Sequence, residues 1–306
     1  MVSGRTVRIL PSSSRLRQIG RLQRGVRARK WRVSSSRGTR SSSDVSELVR
    51  TYLDRWSLRR DGAAIAGNNA TVQPVRTSDG VAAMLRLEPG SDFFPSELVT
   101  LTLWDGAGAV QVYDHDDADC VMLLERLDHT RNLESLPIEQ GAAIAGQLRA
   151  RLSRPAPDGL RTLEALAQRW TEEFARDQIV PRHLLDAAVG LCRDLGPGAN
   201  RYLVNSDQHY QNVLAGDREP WLVIDPHVFA GDREFGLATL IWGRLDEATP
   251  RRILEVLIDA EGLDAAKAQA WTFVDSVAKW VSAPQGRWAR DCATIAHELM
   301  PACPIS

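Results

Sequence analysis

"LVNSDQHYQNVLAGDREPWLVIDP", residues 203–226, sets two short apolar runs on either side of a Gly-Asp turn, with Asp, His and Asn towards their outer ends. Runs of that length around such a turn read as the arms of a β-hairpin. Pairing them about a turn at 215–220 places Leu214 opposite Trp221, Val213 opposite Leu222 and Asn212 opposite Val223. Asp225 then lies opposite Tyr210, on a diagonal about 7–8 Å from Asn212. Asp207 falls in the loop entering the first arm. One local motif therefore gathers two carboxylates and an amide at its open end. Hard oxygen ligands, one charged and one amide, suit Mg²⁺, which keeps waters and phosphate oxygens as its other ligands.

Outside the hairpin the pattern divides into two kinds. Val45, Leu48, Val49, Tyr52, Leu53 and Trp56 fall at helical spacing. Short β-prone runs then follow, broken by Asp-Gly, Gly-Asn-Asn and Ser-Asp-Gly, which are hairpin signals. A helix is predicted from about Ser96 to Trp104, and "AVQVYDHDDADCVMLLERL" reads as two strands joined by an acidic turn. From Ile138 the period is mostly 3.6, with amphipathic runs at "IEQGAAIAGQLRARL", "LEALAQRWTEEFA", "HLLDAAVGLCRDL", "PRRILEVLIDAEGL" and "AAKAQAWTFVDSVAKWV". The expected class is α+β, with a small, mostly β N-terminal lobe over 44–127 and a larger, mostly α C-terminal lobe over 128–306. No internal repeat is visible.

The net charge of −1 over 306 residues conceals an asymmetry. Residues 1–43 hold eleven Arg, one Lys and no acid, which leaves 26 basic against 39 acidic residues in the rest. The Ser-rich basic tail has too little apolar content to offset the entropy of ordering and is predicted to be disordered. It also suits a nucleic-acid arm or a transit peptide. The simpler reading is an upstream start, with native translation beginning near Val45, which N-terminal sequencing of the natively expressed protein tests. Outside the tail no nucleic-acid partner is expected. No apolar run reaches the ~20 residues of a membrane span. Cys120, Cys192, Cys292 and Cys303 are scattered, which fits a reducing cytoplasm better than a disulfide framework or zinc cluster.

Asp207-x-x-x-x-Asn212 followed by Asp225 resembles the catalytic loop and metal-binding Asp of the protein-kinase-like fold. More narrowly, the chain resembles the aminoglycoside/hydroxyurea antibiotic-resistance kinases, the streptomycin phosphotransferase-like group. Their usual order is close to H-G-D-L-H-x-x-N-V-L, W-L-x-I-D-P and G-D-x-E-x. Here "NSDQHYQNVL", "WLVIDP" and "GDREF" follow in that order, and the likeness spans roughly residues 45–250.

The resemblance implies a bilobal fold and ATP- and Mg²⁺-dependent phosphoryl transfer to a hydroxyl of a small molecule, an aminoglycoside or hydroxyurea-type antibiotic. Asp207 would accept the hydroxyl proton, and Asn212 and Asp225 would hold Mg²⁺. Arg86 takes the strand position of the usual phosphate-binding Lys, and Glu97 matches the helix Glu that pairs with it. Glu125, Arg126 and Leu127, in "LLERLD", would offer backbone groups to adenine, and "AGNNAT" would cover the phosphates. The acidic body would draw a cationic acceptor, with Asp232 and Glu234 as further acidic candidates or as plain turn residues.

Four positions depart from the pattern. Arg86 replaces Lys, exchanging a compact ammonium for a planar fork. Asn205 and Ser206 stand where His and Gly are commoner, and Gly236 replaces an acid. His209 reads as a loop-orienting group and His227 as an ordinary loop residue. Two other functions remain open: a degenerate kinase fold that binds nucleotide without transfer, or a metal-dependent phosphoesterase built on Asp207-x-His209 and Asp225-x-His227.

Overall fold

The computed structural model describes residues 42–67 and 70–302, so most of the basic tail, and Asn68 and Asn69 of "AGNNAT", lie outside the described residues. The described residues divide into two compact units, one running to residue 128 and including 216–220, the other of 129–215 with the residues from 221 onward. The first is mostly β and the second mostly α, and each holds both strands and helices.

In the first unit, α1 (Ser42–Arg55) precedes β1 (Arg59–Arg60), β2 (Ile65–Ala66), β3 (Thr71–Arg76) and β4 (Ala82–Leu87). Helix α2 (Phe94–Trp104), β5 (Val112–Asp116) and β6 (Val121–Glu125) follow. The sheet runs β1-β3-β4-β6-β5, with β2 on β3, and every pairing is antiparallel. Alternation along β4 sends Ala83, Leu85 and Leu87 to the face covered by Leu48, Val49, Tyr52 and Trp56 of α1 and the turn after it. Arg86 points the other way from the middle of the sheet, between Val72 on β3 and Met122 on β6.

The second unit holds β7 (Asp128–Asn132, entering at His129), α3 (Ile138–Leu152), α4 (Leu163–Arg176), α5 (Arg182–Leu195) and β8 (Tyr202–Asn205). After β9 (Val213–Ala215), β10 (Leu222–Val223) and β11 (Val228–Gly231) come α6 (Pro250–Glu261), α7 (Ala265–Ser282) and α8 (Gly286–Leu299). Thr162, Thr249 and Asp264 cap α4, α6 and α7, each accepting from a backbone N–H three residues on. Pro250 opens α6 and Gly262, with φ 68°, closes it. Phe235 sits in the core against Trp170 and Trp271, both with ring centroids 6.0 Å away.

The hairpin forms, but one residue out of the expected register. Leu214 pairs with Leu222 and Val213 with Val223. Pro220 has no N–H to give to a ladder, and residues 216–220 group with the first unit. There Arg218 donates to both oxygens of Glu125, at 3.2 and 2.9 Å, and to the carbonyls of Gly106 and Ala109. The tip is held by these contacts rather than by the shortest turn. Strands β7, β8 and β11 and helix α8 were not anticipated. Among the described residues no helix is long and apolar enough to cross a membrane.

Candidate active site

In the first unit the Arg86–Glu97 pair is present. Arg86 Nη1 donates to Glu97 Oε2 at 2.7 Å, and both side chains are buried. Glu97 reaches the strand because α2 turns nearly its whole first half inward, burying Ser96, Glu97 and Leu98. Arg86 Nη2 binds a second acid, Glu88, at 2.8 Å. The residues expected to contact adenine are partly committed elsewhere. The Glu125 N–H donates to Gln111 O at 2.8 Å, and its carboxylate accepts from Arg218. The Arg126 side chain binds Asp61 Oδ2 and the carbonyls of Val75 and Ala83, so it serves the sheet. Arg126 holds the Asp61 carboxyl below its usual range. Leu127 is buried.

In the second unit the loop after β8 is organised by Asn205. Its Oδ1 accepts from the N–H of Asp207 and from that of His227, both at 3.1 Å. The sequence placed Asn205 among the departures, yet one buried amide oxygen ties together the segments that carry Asp207 and Asp225. Ser206 adds N–H and Oγ bonds to His227 O, at 2.8 and 3.0 Å. These bonds use the backbone N–H and C=O of His227. Its Nδ1 also lies 3.7 Å from Asp207 Oδ2.

Asn212 closes the loop, its Nδ2 donating to Asp207 O at 3.1 Å. That bond orients the amide. The Asp207 side chain is 35% exposed. Asp225 follows β10 with φ 50°, a left-handed conformation that Asp tolerates better than most residues. His209 contributes backbone bonds to Asp207 and Asn212. The donor set of one amide oxygen and one carboxylate fits Mg²⁺.

Gly236, another departure, has a local reason. Its φ is +84°, and a Cβ there would lie 2.7 Å from Asn205 O and 3.1 Å from Ser206 Cα. No acid fits against that backbone. Gly236→Ala is expected to cost at least the ~1–2 kcal/mol of a left-handed alanine, plus the displacement of Asn205. Urea unfolding measures the loss, and a stability within 0.5 kcal/mol of wild type, a margin typical of neutral surface changes, would refute the packing.

Arg149 on α3 was missed altogether. It is buried and binds Glu261 Oε2 at 2.7 Å, Asn205 O at 3.1 Å, Arg233 O at 2.9 Å and Phe235 O at 2.8 Å. A charge at the apolar positions of an amphipathic helix, beside Ala145, Leu148 and Leu152, was the available signal. Asp232 and Glu234 serve the fold: Asp232 Oδ2 accepts from Trp271 Nε1 at 3.1 Å, and Glu234 Oε1 from Asp264 N at 3.4 Å. Among the described residues no three His, Cys, Asp or Glu side chains are grouped to hold a metal ion.

Solved structures show that the fold of this chain is shared with other proteins. A choline kinase LicA from Streptococcus pneumoniae aligns with TM-score 0.54 at 14% identity, over 84% of this chain and 99% of that one. The macrolide 2'-phosphotransferase MphH of Brachybacterium faecium aligns with TM-score 0.53 at 14% identity, over 83% and 98%. In sequence, the profile of the aminoglycoside/hydroxyurea antibiotic resistance kinases matches residues 55–291, and the chain belongs to that family. It is 38% identical to a streptomycin 6-kinase of Streptomyces glaucescens over 242 residues, 74% of this chain and 78% of that one. It is 37% identical to a hydroxyurea phosphotransferase of Kitasatospora aureofaciens over 235 residues, 73% and 68% respectively. The match extends beyond the 45–250 span read from the motifs, into α8. The chain is a phosphotransferase with a hydroxyl acceptor, and ATP is its co-substrate.

Proposed function

We propose that this enzyme transfers the γ-phosphoryl group of ATP to a hydroxyl of a streptomycin-like aminoglycoside, with Asp207 as the proton acceptor. The observation that carries the assignment of the base is the closed loop in which Asn212 Nδ2 grips the Asp207 carbonyl and leaves the Asp207 carboxylate half-exposed. The acceptor oxygen forms a bond to Pγ while the bond from Pγ to the β,γ-bridging oxygen breaks. That electron pair leaves on ADP, and the hydroxyl proton passes to an Asp207 oxygen. Asn212 and Asp225 would hold Mg²⁺, which supplies charge neutralisation for the phosphates when bound. Arg86, oriented by Glu97, would face the phosphates, and the Leu127 and Arg126 backbone groups would meet the base. The rest of the catalysis is positioning and electrostatics.

The choice of acceptor rests on the names of the relatives and on charge. Outside residues 1–43 acids outnumber bases 39 to 26, and such a body raises the encounter rate of a polycation. The test is an ADP-release assay with ATP and Mg²⁺ against streptomycin, other aminoglycosides and hydroxyurea, with product mass as readout. A streptomycin product carrying one added phosphoryl group is expected, and NMR locates the hydroxyl. Phosphorylation of hydroxyurea alone would replace the acceptor class. ATP-dependent thermal stabilisation without ADP release on any acceptor would favour a binding protein without transfer.

A further inference from the structure

Arg86 holds two acids. Its Nη1 meets Glu97 and its Nη2 meets Glu88, with side-chain exposures of 10% for Arg86, 2% for Glu97 and 10% for Glu88. Glu88 follows Arg86 by two residues, so it leaves the strand on the same face. Its position is fixed by its own backbone, the N–H donating to Cys120 O at 3.0 Å. A lysine ammonium concentrates its charge at one point, whereas a guanidinium presents a planar fork that spans two carboxylates. The exchange of Lys for Arg and the presence of Glu88 thus belong to one arrangement. These three side chains carry one formal positive and two negative charges, in a place with little water to screen them.

We infer that Glu88 sets nucleotide affinity: it occupies Arg86 Nη2 and opposes the incoming phosphates, so that ATP must compete with it for the guanidinium. The inference rests on the reading of Arg86 as the phosphate-facing cation, and it adds a positioning residue that the kinase motifs do not contain. Glu97 orients Arg86, and Glu88 restrains it. Removing the Glu88 charge while keeping an oxygen acceptor relieves the opposition and leaves the fork oriented.

Calorimetric titration of wild type, Glu88→Gln and Glu88→Ala with adenosine, AMP, ADP and ATP in Mg²⁺ buffer tests this. The Kd for ATP is expected to fall about tenfold in Glu88→Gln, the order of one partly screened unit charge near the phosphates. The gain should grow from AMP to ATP and vanish for adenosine, a dependence that a merely structural ion pair would not produce. An ATP Kd unchanged or raised in both folded variants overturns the inference. So does loss of fold in both by circular dichroism, because Glu88 would then be a structural partner. Absence of ATP binding to all three proteins overturns the nucleotide reading itself, and the inference with it.

Discussion

Asp207→Asn is expected to lower kcat by roughly 10²- to 10⁴-fold, the range that a positioned general base contributes. The substitution is nearly isosteric, and the bonds that shape the loop are spared. The Asp207 N–H still reaches Asn205, and its carbonyl still accepts from Asn212 and His209, because all three are backbone bonds of residue 207. What disappears is the carboxylate that takes the acceptor proton. KM for ATP should move far less than kcat, since the base acts as the hydroxyl attacks rather than when nucleotide binds. Thermal stabilisation by ATP should persist in the variant. Undiminished turnover would remove Asp207 from the mechanism.

Arg149→Met is expected to be the most destabilising single change in the second unit. The Arg149–Glu261 pair is almost fully desolvated, with side-chain exposures of 4% and 2%. Removing one member of such a pair typically costs about 3–5 kcal/mol, because the remaining charge stays buried. Burial already raises the Glu261 carboxyl against the pull of Arg149. Three carbonyls, of Asn205, Arg233 and Phe235, would lose a donor at the same time. For a domain of this size the melting temperature should fall by about 10 °C. Adding Glu261→Leu should restore part of the loss, since a buried pair exchanged for apolar groups is often nearly neutral. A single variant that melts within 2 °C of wild type would show that the hub is dispensable. Because Asn205 orders the Asp207 loop, kcat should fall in Arg149→Met even below its melting transition.

Much of this molecule was legible because its periods are clean. The strands of the first unit and helices α3 to α7 carry apolar spacing strong enough to be read locally, and Thr162, Thr249 and Asp264 cap α4, α6 and α7. Helix α8 was legible but unread: Ala289, Cys292, Ile295, Ala296 and Leu299 keep one buried face. Arg86 and Glu97 were paired across eleven residues from motif order alone, and the ion pair is there. The hairpin was recognised and its register was not. Both arms are buried at every position, so no alternation of apolar and polar residues marks one register over the next.

Residue order determined the class of the fold and the family motifs, since periodicity and spacing are properties of neighbouring positions. Tertiary structure decided which charges are buried and whom they face. Glu88 joins Arg86, Asn205 binds two loops, Gly236 lies against Asn205, and Arg149 gathers three carbonyls and an acid. These partnerships depend on distance in space and on exclusion of water, and both arise only when segments distant in the chain pack together.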